Sequence, residues 1–372
     1  MHGSEDKALK FEQFELERWL SELRFSCDVD LSASVITHFK YNELISEKDL
    51  GMSVRIGPTN GTEALREEIS KLYRGVVDAE GVLVTHGAAE ANFLLLNYLV
   101  THGDECIFVV PNYMQAYGIL KALGAKVKLA YLDERDYKPN IEEINELVTG
   151  KTKAILITNP NNPTGARLTL GELRAICNIA EDANAYVIGD EVLCGLEIDG
   201  KRTTSPVEIY EKGISTRSVS KLGLSGLRVG WIAARDPAIA KKCWMIRDYT
   251  SLGNSFFNQH VALIALKNMD KIIQRNRKLL SDRVEIVMKA VEENKRLINC
   301  KRPKAGSTAL IKYNFDLGSV EFCRKLAEKE RLAVSPGDYF EAPKSFRILY
   351  GIDAERLKTG LERISHFIKT LV

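Results

Sequence analysis

Lys221 stands in the run Ser218-Val219-Ser220-Lys221-Leu222-Gly223-Leu224-Ser225-Gly226-Leu227-Arg228-Val229-Gly230-Trp231. An amine condenses with an aldehyde to an imine, and it does so at neutral pH when burial and nearby cations depress its pKa. Arg228 is such a cation, and its guanidinium can also grip a phosphate with two parallel hydrogen bonds. The hydroxyls of Ser218 and Ser220 add donors for the same anion. The chemistry this run is suited to is imine formation with a phosphorylated aldehyde. Taken alone, Lys221 reads as a solvated surface lysine and Arg228 as half of an internal salt bridge. Their neighbours argue against both.

Four further clusters and one arginine in an apolar run carry chemistry of the same kind. Gly87-Ala88-Ala89-Glu90-Ala91 follows an apolar run and opens a helix, where unpaired N–H groups and the helix dipole favour an anion. Close helix–strand packing would explain the small residues as well. Pro111-Asn112-Tyr113 puts an aromatic just past a second apolar run. Asn159-Pro160-Asn161-Asn162-Pro163-Thr164-Gly165 follows a third, and by itself it reads as a turn. Asp190-Glu191 ends a fourth, where a buried aspartate costs desolvation unless it meets a cation. Arg347, in Phe346-Arg347-Ile348, lies in a run too apolar for an ordinary solvated arginine.

These residues need a frame. From Thr62 to about Ala234, apolar runs at 82–85, 107–110, 127–131, 154–158, 186–189, 216–220 and 229–234 interleave with helical patterns near 62–73, 89–101, 115–123, 140–148 and 169–183. Continuous apolar strands separated by helices predict an α/β fold, with a mostly parallel central sheet covered on both faces. In such sheets ligands gather at the carboxyl ends of the strands, where all of the clusters above lie. After about residue 255 the pattern changes to long charged helices over 257–296, a strand at 308–313, a helix at 319–331, the run 333–337, a strand at 346–350 and a helix from Ala354 onward. That is a smaller α+β domain, on which an acidic helix at 9–23 is expected to pack. The expected division is a large domain over 46–256 and a small one from 1–45 plus 257–372.

Composition narrows the class. The 372 residues suffice for two or so domains with a large core, and a net charge of +2 gives no reason to expect nucleic-acid or membrane partners. The seven cysteines form no Cys-x-x-Cys pair, and the six histidines are dispersed, which points to buried reduced thiols and no metal site. No apolar stretch approaches the roughly 18 residues of a membrane span. Met1–Lys7 lacks the apolar core of a signal peptide, so the expected location is the cytoplasm.

The lysine run resembles the Ser-x-Ser-Lys…Gly-x-Arg-x-Gly-Trp signature of class I/II aminotransferases, the fold-type I pyridoxal-phosphate (PLP) enzymes. The resemblance extends over nearly the whole chain, with the other clusters in family order. It implies that Lys221 carries the cofactor as a Schiff base. Ala88, Ala89, Ser218, Ser220 and Arg228 would hold its phosphate. Tyr113 would stack on its ring, Asn162 would bond the ring hydroxyl oxygen, and Asp190 would keep the ring nitrogen protonated. Arg347 would clamp the substrate carboxylate, with Asn162 beside it. The resemblance further implies a homodimer with the site near the subunit interface.

The chain departs from the family pattern in four places. Six residues separate Lys221 from Arg228, where the family usually has one more. The phosphate loop carries alanines in place of hydroxyls. Leu193 and Ile56 stand where relatives have tyrosines that bond the ring oxygen and the neighbouring subunit's phosphate. Within the family, Leu31-Ser32-Ala33-Ser34, Gly61-x-x-x-Leu65-Arg66 and Ile246-Arg247-Asp248-Tyr249-Thr250-Ser251 resemble the branch that contains capreomycidine synthase.

The expected activity is transamination between an amino acid and a 2-oxo acid. Lys221 would act as general base and then acid, with Asp190 supporting the electron sink. A lyase or elimination–cyclisation reaction would use the same residues and is the alternative. A non-enzymatic PLP-binding regulator is disfavoured, because only about 45 residues precede the large domain and they show no basic helix-turn-helix pattern. A nucleotide-binding protein is disfavoured by the lack of any Gly-x-Gly-x-x-Gly or Gly-x-x-x-x-Gly-Lys-Ser/Thr run.

Overall fold

The structure, a computed structural model, describes residues 11–23 and 25–371. Met1–Lys7, read above as lacking a signal peptide, and residues 9 and 10 of the expected first helix lie outside the described residues.

The apolar runs become strands because each can bury both faces. Every residue of Val82–Thr85, Gly213–Ser218 and Gly230–Ala234 is buried. Seven strands form one sheet in the order Val82–Thr85, Gly230–Ala234, Gly213–Ser218, Tyr186–Asp190, Thr152–Thr158, Glu105–Val110, Lys126–Tyr131. Six of them point the same way, whereas Gly230–Ala234 runs antiparallel to both of its neighbours. That reversal needs only a short return, so the chain from Ser218 to Gly230 stays at the carboxyl edge of the parallel strands. Register places Thr85, Gly230 and Ser218 in one row there, and Thr158, Asp190 and Thr216 in another.

The second sheet is antiparallel, in the order Ser335–Pro336, Ser345–Leu349, Thr308–Tyr313, Ile298–Cys300. Helices Met269–Glu293, Ser319–Glu330 and Ala354–Lys369 accompany it. Val29–Asp30 pairs in parallel with Leu332–Ala333, which ties the N-terminal segment to this unit. The first helix, Glu15–Leu23, buries Leu16 and Trp19, and the Trp19 indole N–H donates to the Val334 carbonyl at 2.9 Å. A smaller antiparallel-sheet domain beside a large α/β sheet is therefore present, as the patterning predicts.

Local differences have local causes. The long charged helices expected over 257–296 are Phe256–Lys267 and Met269–Glu293, parted at Asn268, whose side chain turns back to the Ile264 carbonyl. The run 333–337 divides into parts of two strands, one paired with Val29–Asp30 and one in the four-stranded sheet. Helix Pro237–Arg247 was not anticipated, although Asp236 caps it and Pro237 occupies its first turn, a recognisable start signal. None of the seven cysteines is paired, and all but Cys27 are buried.

Candidate active site

A cavity of about 660 Å³ opens at the carboxyl edge of the large sheet, between that sheet, the first helix and the small domain. Each of Ala88, Ala89, Tyr113, Asn162 and Asp190 lines it, and so do Ser218, Ser220, Lys221, Arg228 and Arg347. Every sequence-predicted site residue is thus brought to one chamber.

One end of the cavity is a set of donors. Helix Gly87–Leu99 begins there with no side-chain cap, so the N–H groups of Ala88 and Ala89 belong to a first turn without intrahelical acceptors. Arg228 has a left-handed backbone (φ 49°), and its guanidinium donates to the His86 carbonyl at 3.2 Å. Gly87 has φ +79°, and a Cβ there would lie 2.7 Å from Arg228 Nη2. A Cβ on Gly230 would lie 2.4 Å from the Gly87 carbonyl carbon. Only glycines at these two positions let loop and guanidinium close on each other. Ser218 Oγ accepts from the Ser220 N–H at 3.3 Å, which sets both hydroxyl-bearing residues in one tight turn.

Asp190 is fixed at the end of its strand. Its carboxylate accepts from Asn92 Nδ2 and from the Val192 N–H, both at 3.1 Å. Burial nevertheless raises its pKa, opposed by those two hydrogen bonds and by Lys221. A cationic partner within the cavity would relieve that cost. Of the three asparagines in the 159–165 turn, two are structural. Asn159 accepts from the Leu168 N–H, and Asn161 joins the Pro111 carbonyl to Thr164. Asn162 alone lines the cavity; its Oδ1 accepts from Arg347 Nη1 at 3.0 Å, which leaves its amide nitrogen as a donor.

Arg347 is almost wholly buried. Beyond Asn162 it donates to the Ser32 carbonyl at 2.5 Å and to Ser335 Oγ at 3.3 Å, while its Nε has no partner among the described residues. The Phe340 ring lies 4.6 Å beneath it. Burial lowers its pKa to about 10. A buried guanidinium with an unmet donor is poised for an anion. Lys221 donates to Ser34 Oγ at 2.8 Å. Burial, and then the Arg347 charge, push its pKa from the ordinary 10.5 down to about 8. That is the depressed amine that imine chemistry requires.

Three residues escaped the sequence reading. Ser34 bonds the lysine amine. Glu17, on the first helix, lines the cavity and accepts from the Tyr113 hydroxyl at 2.7 Å. Asn92 orients Asp190 and in turn accepts from Thr216 Oγ1 at 2.7 Å. Two left a signal: Ser34 ends the Leu31-Ser32-Ala33-Ser34 run, and Asn92 is the one polar side chain on the buried face of its helix. Leu193, at the position of a usual tyrosine, is fully buried in the core, and Ile56 is exposed with its backbone bridged to Ser255.

Comparison with known proteins agrees with this geometry. The model of the family described as aminotransferase class I and II matches residues 28–364. A crystal structure of a PLP-dependent aminotransferase from Streptococcus suis superposes with a TM-score of 0.92 at 32% identity, covering 98% of this chain and 99% of that one. Capreomycidine synthase of Streptomyces vinaceus is 26% identical over 365 residues, 95% of this chain and 93% of the relative. The structure of a PLP-dependent cyclase, OrfR, superposes with a TM-score of 0.90 at 26% identity, covering 98% of each chain.

Proposed function

The chain belongs to the class I and II aminotransferase family, and from that premise we propose that it moves an amino group from an amino acid to a 2-oxo acid. Its cofactor is pyridoxal phosphate, and the cavity's donor set fits that group. The Ala88 and Ala89 N–H groups, Ser218, Ser220 and Arg228 suit a phosphate; the Asn162 amide suits a ring oxygen. Asp190, held by Asn92 in a site that disfavours its charge, suits a protonated ring nitrogen. When bound, the cofactor supplies a carbonyl carbon for amine exchange and a ring that withdraws electrons from the substrate Cα.

The protein's own part is positioning and proton transfer. Arg347 takes the substrate carboxylate through its unmet Nε and adjoining nitrogens, with Asn162 alongside. Lys221 Nζ, its pKa lowered to about 8, takes the Cα proton and would hand it to the cofactor's former carbonyl carbon rather than back to Cα. Tyr113 packs against Phe14 with ring centroids 5.1 Å apart and walls the cavity from the side of the first helix. The observation that carries this reading is the convergence of Lys221, Asp190, Arg228 and Arg347 on one cavity.

The cavity's remaining side chains support amino donors without an acidic side chain. Among the described residues Arg228 and Arg347 are its only arginines, both already assigned, and Glu17 adds negative charge. A second reading, elimination or cyclisation, is favoured by Leu193, which removes a ring-oxygen donor, and by the capreomycidine synthase and cyclase relatives. A panel of amino acids mixed with the PLP-loaded protein separates the two. Transamination converts the visible spectrum to that of pyridoxamine phosphate and yields one 2-oxo acid per site without added acceptor. Ammonia release with the starting spectrum restored would overturn it in favour of elimination.

A homodimer belongs to the same proposal. Exposed Tyr41, Leu50, Val54, Ile56, Met245, Tyr249 and Leu252 come from two segments that the Ile56–Ser255 bridge brings together. A second copy of the chain would cover them.

A further inference from the structure

We propose that Ser34 is a catalytic residue: its hydroxyl holds the Lys221 amine while that amine is free of the cofactor and carries the substrate's proton. This rests on the role proposed for Lys221 above.

The bond from Lys221 Nζ to Ser34 Oγ, at 2.8 Å, is the amine's one hydrogen bond among the described residues. Four charged groups face the amine. Arg347 comes from the small sheet, Arg228 from the lysine's own loop, Glu17 from the first helix, and Asp190 from a strand end. Neither acid takes its proton. Asp190 is engaged by Asn92 and the Val192 N–H, and Glu17 by Tyr113. A carboxylate bonded to Nζ would favour the ammonium and impair a base. A hydroxyl accepts from the ammonium and can donate to the neutral amine, so it serves both states.

The segment carrying Ser34 is fixed. The Leu31 N–H donates to the Ala333 carbonyl, and the Leu349 N–H to the Leu31 carbonyl. Ser32 bonds Asp30, and its carbonyl accepts from Ser335 and from Arg347. The lysine's holder therefore stands two residues from a group gripped by the proposed carboxylate clamp. Leu193 is buried away from the cavity and Ile56 is apolar, so neither supplies a hydroxyl in its place.

The proton balance is simple. The Nζ lone pair takes the proton from the substrate Cα, and the C–H electron pair stays with the substrate. The new ammonium donates to Ser34 Oγ, which keeps its own proton. In transamination Nζ would then pass the proton to the cofactor's former carbonyl carbon rather than back to Cα, and the neutral amine is restored.

The test uses the full chain with two readouts. In the first, cofactor-free protein is mixed with pyridoxal phosphate, and the capture rate is followed against pH, which reports the neutral fraction of Lys221. Ser34→Ala removes an acceptor from the ammonium and is expected to move the midpoint down by about 0.5 to 1 on the pH scale. In the second, the loaded enzyme turns over an α-deuterated amino acid. Ser34→Ala is expected to lower kcat about 10- to 100-fold and to enlarge the isotope effect.

Ser34→Thr keeps the hydroxyl and should stay within about threefold of wild type. Ser34→Cys, a weak acceptor, should follow alanine and replaces it if the alanine variant fails to fold. An unchanged midpoint and isotope effect in Ser34→Ala, or equal impairment in Ser34→Thr, would overturn the proposal. Lys221→Ala separates the two layers. If it still captures the cofactor covalently, the role of Lys221 itself fails. If it does not, and Ser34→Ala matches wild type, only the role of Ser34 fails.

Discussion

Replacing Lys221 by methionine should make the cofactor-free protein more stable near neutral pH, although it removes the residue proposed to do the chemistry. The native site disfavours the ammonium, through burial and the facing Arg347 guanidinium, and lowers its pKa from 10.5 to about 8. Below pH 8 the folded protein therefore holds a charged amine at a cost of about 3 kcal/mol relative to the unfolded chain. The Lys221 residue is only half-buried, and methionine forfeits the bond to Ser34, so the expected net gain is about 1–2 kcal/mol. Between pH 8 and 10.5 the native amine has lost its proton while the unfolded one retains it, so wild-type stability rises with pH and the gap closes. Urea unfolding of both proteins at pH 7 and pH 10 measures this directly. A methionine variant less stable than wild type at pH 7, or a gap independent of pH, would refute the electrostatic description of the site.

Three further outcomes follow from particular contacts. Arg347→Met should lower kcat/KM about 100- to 1,000-fold, with most of the effect in KM, as steady-state kinetics will show. It should also lower stability by about 2 kcal/mol, because Asn162 Oδ1 and the Ser32 carbonyl lose a buried donor. Gly87→Ala, at φ +79° and 2.7 Å from Arg228 Nη2, should weaken pyridoxal-phosphate affinity at least about tenfold by fluorescence titration. Asn92→Leu frees a carboxylate oxygen of Asp190, and its cofactor affinity should fall about 10-fold at pH 8, read by the same titration.

What could be read from the sequence was whatever lies at the end of an apolar run. Lys221, Asp190, Asn162, Tyr113 and the Gly87 loop each follow a strand that declares itself by composition, and the sheet carries all of them to one edge. Arg347 was legible because a charge in so apolar a run needs a reason. What arrived by tertiary packing was not. Ser34 stands 187 residues from the lysine it bonds, and Glu17 stands 96 from Tyr113. Both lie on short or polar segments whose place is set by Trp19, Leu31 and Ser32 docking on the small domain. The antiparallel place of Gly230–Ala234 was equally hidden, since burial on both faces looks the same in either direction. The Leu193 position was marked from the start as lacking a hydroxyl. That Ser34 now supplies one at the lysine depends on the fold, not on local sequence.

Borohydride reduction of the pyridoxal-phosphate-loaded protein, followed by peptide mass mapping, tests the central claim most directly. The expected result is one cofactor fixed per chain, on the peptide containing Lys221. A label on a different lysine, or no label on a protein that still turns over amino acids, would contradict it.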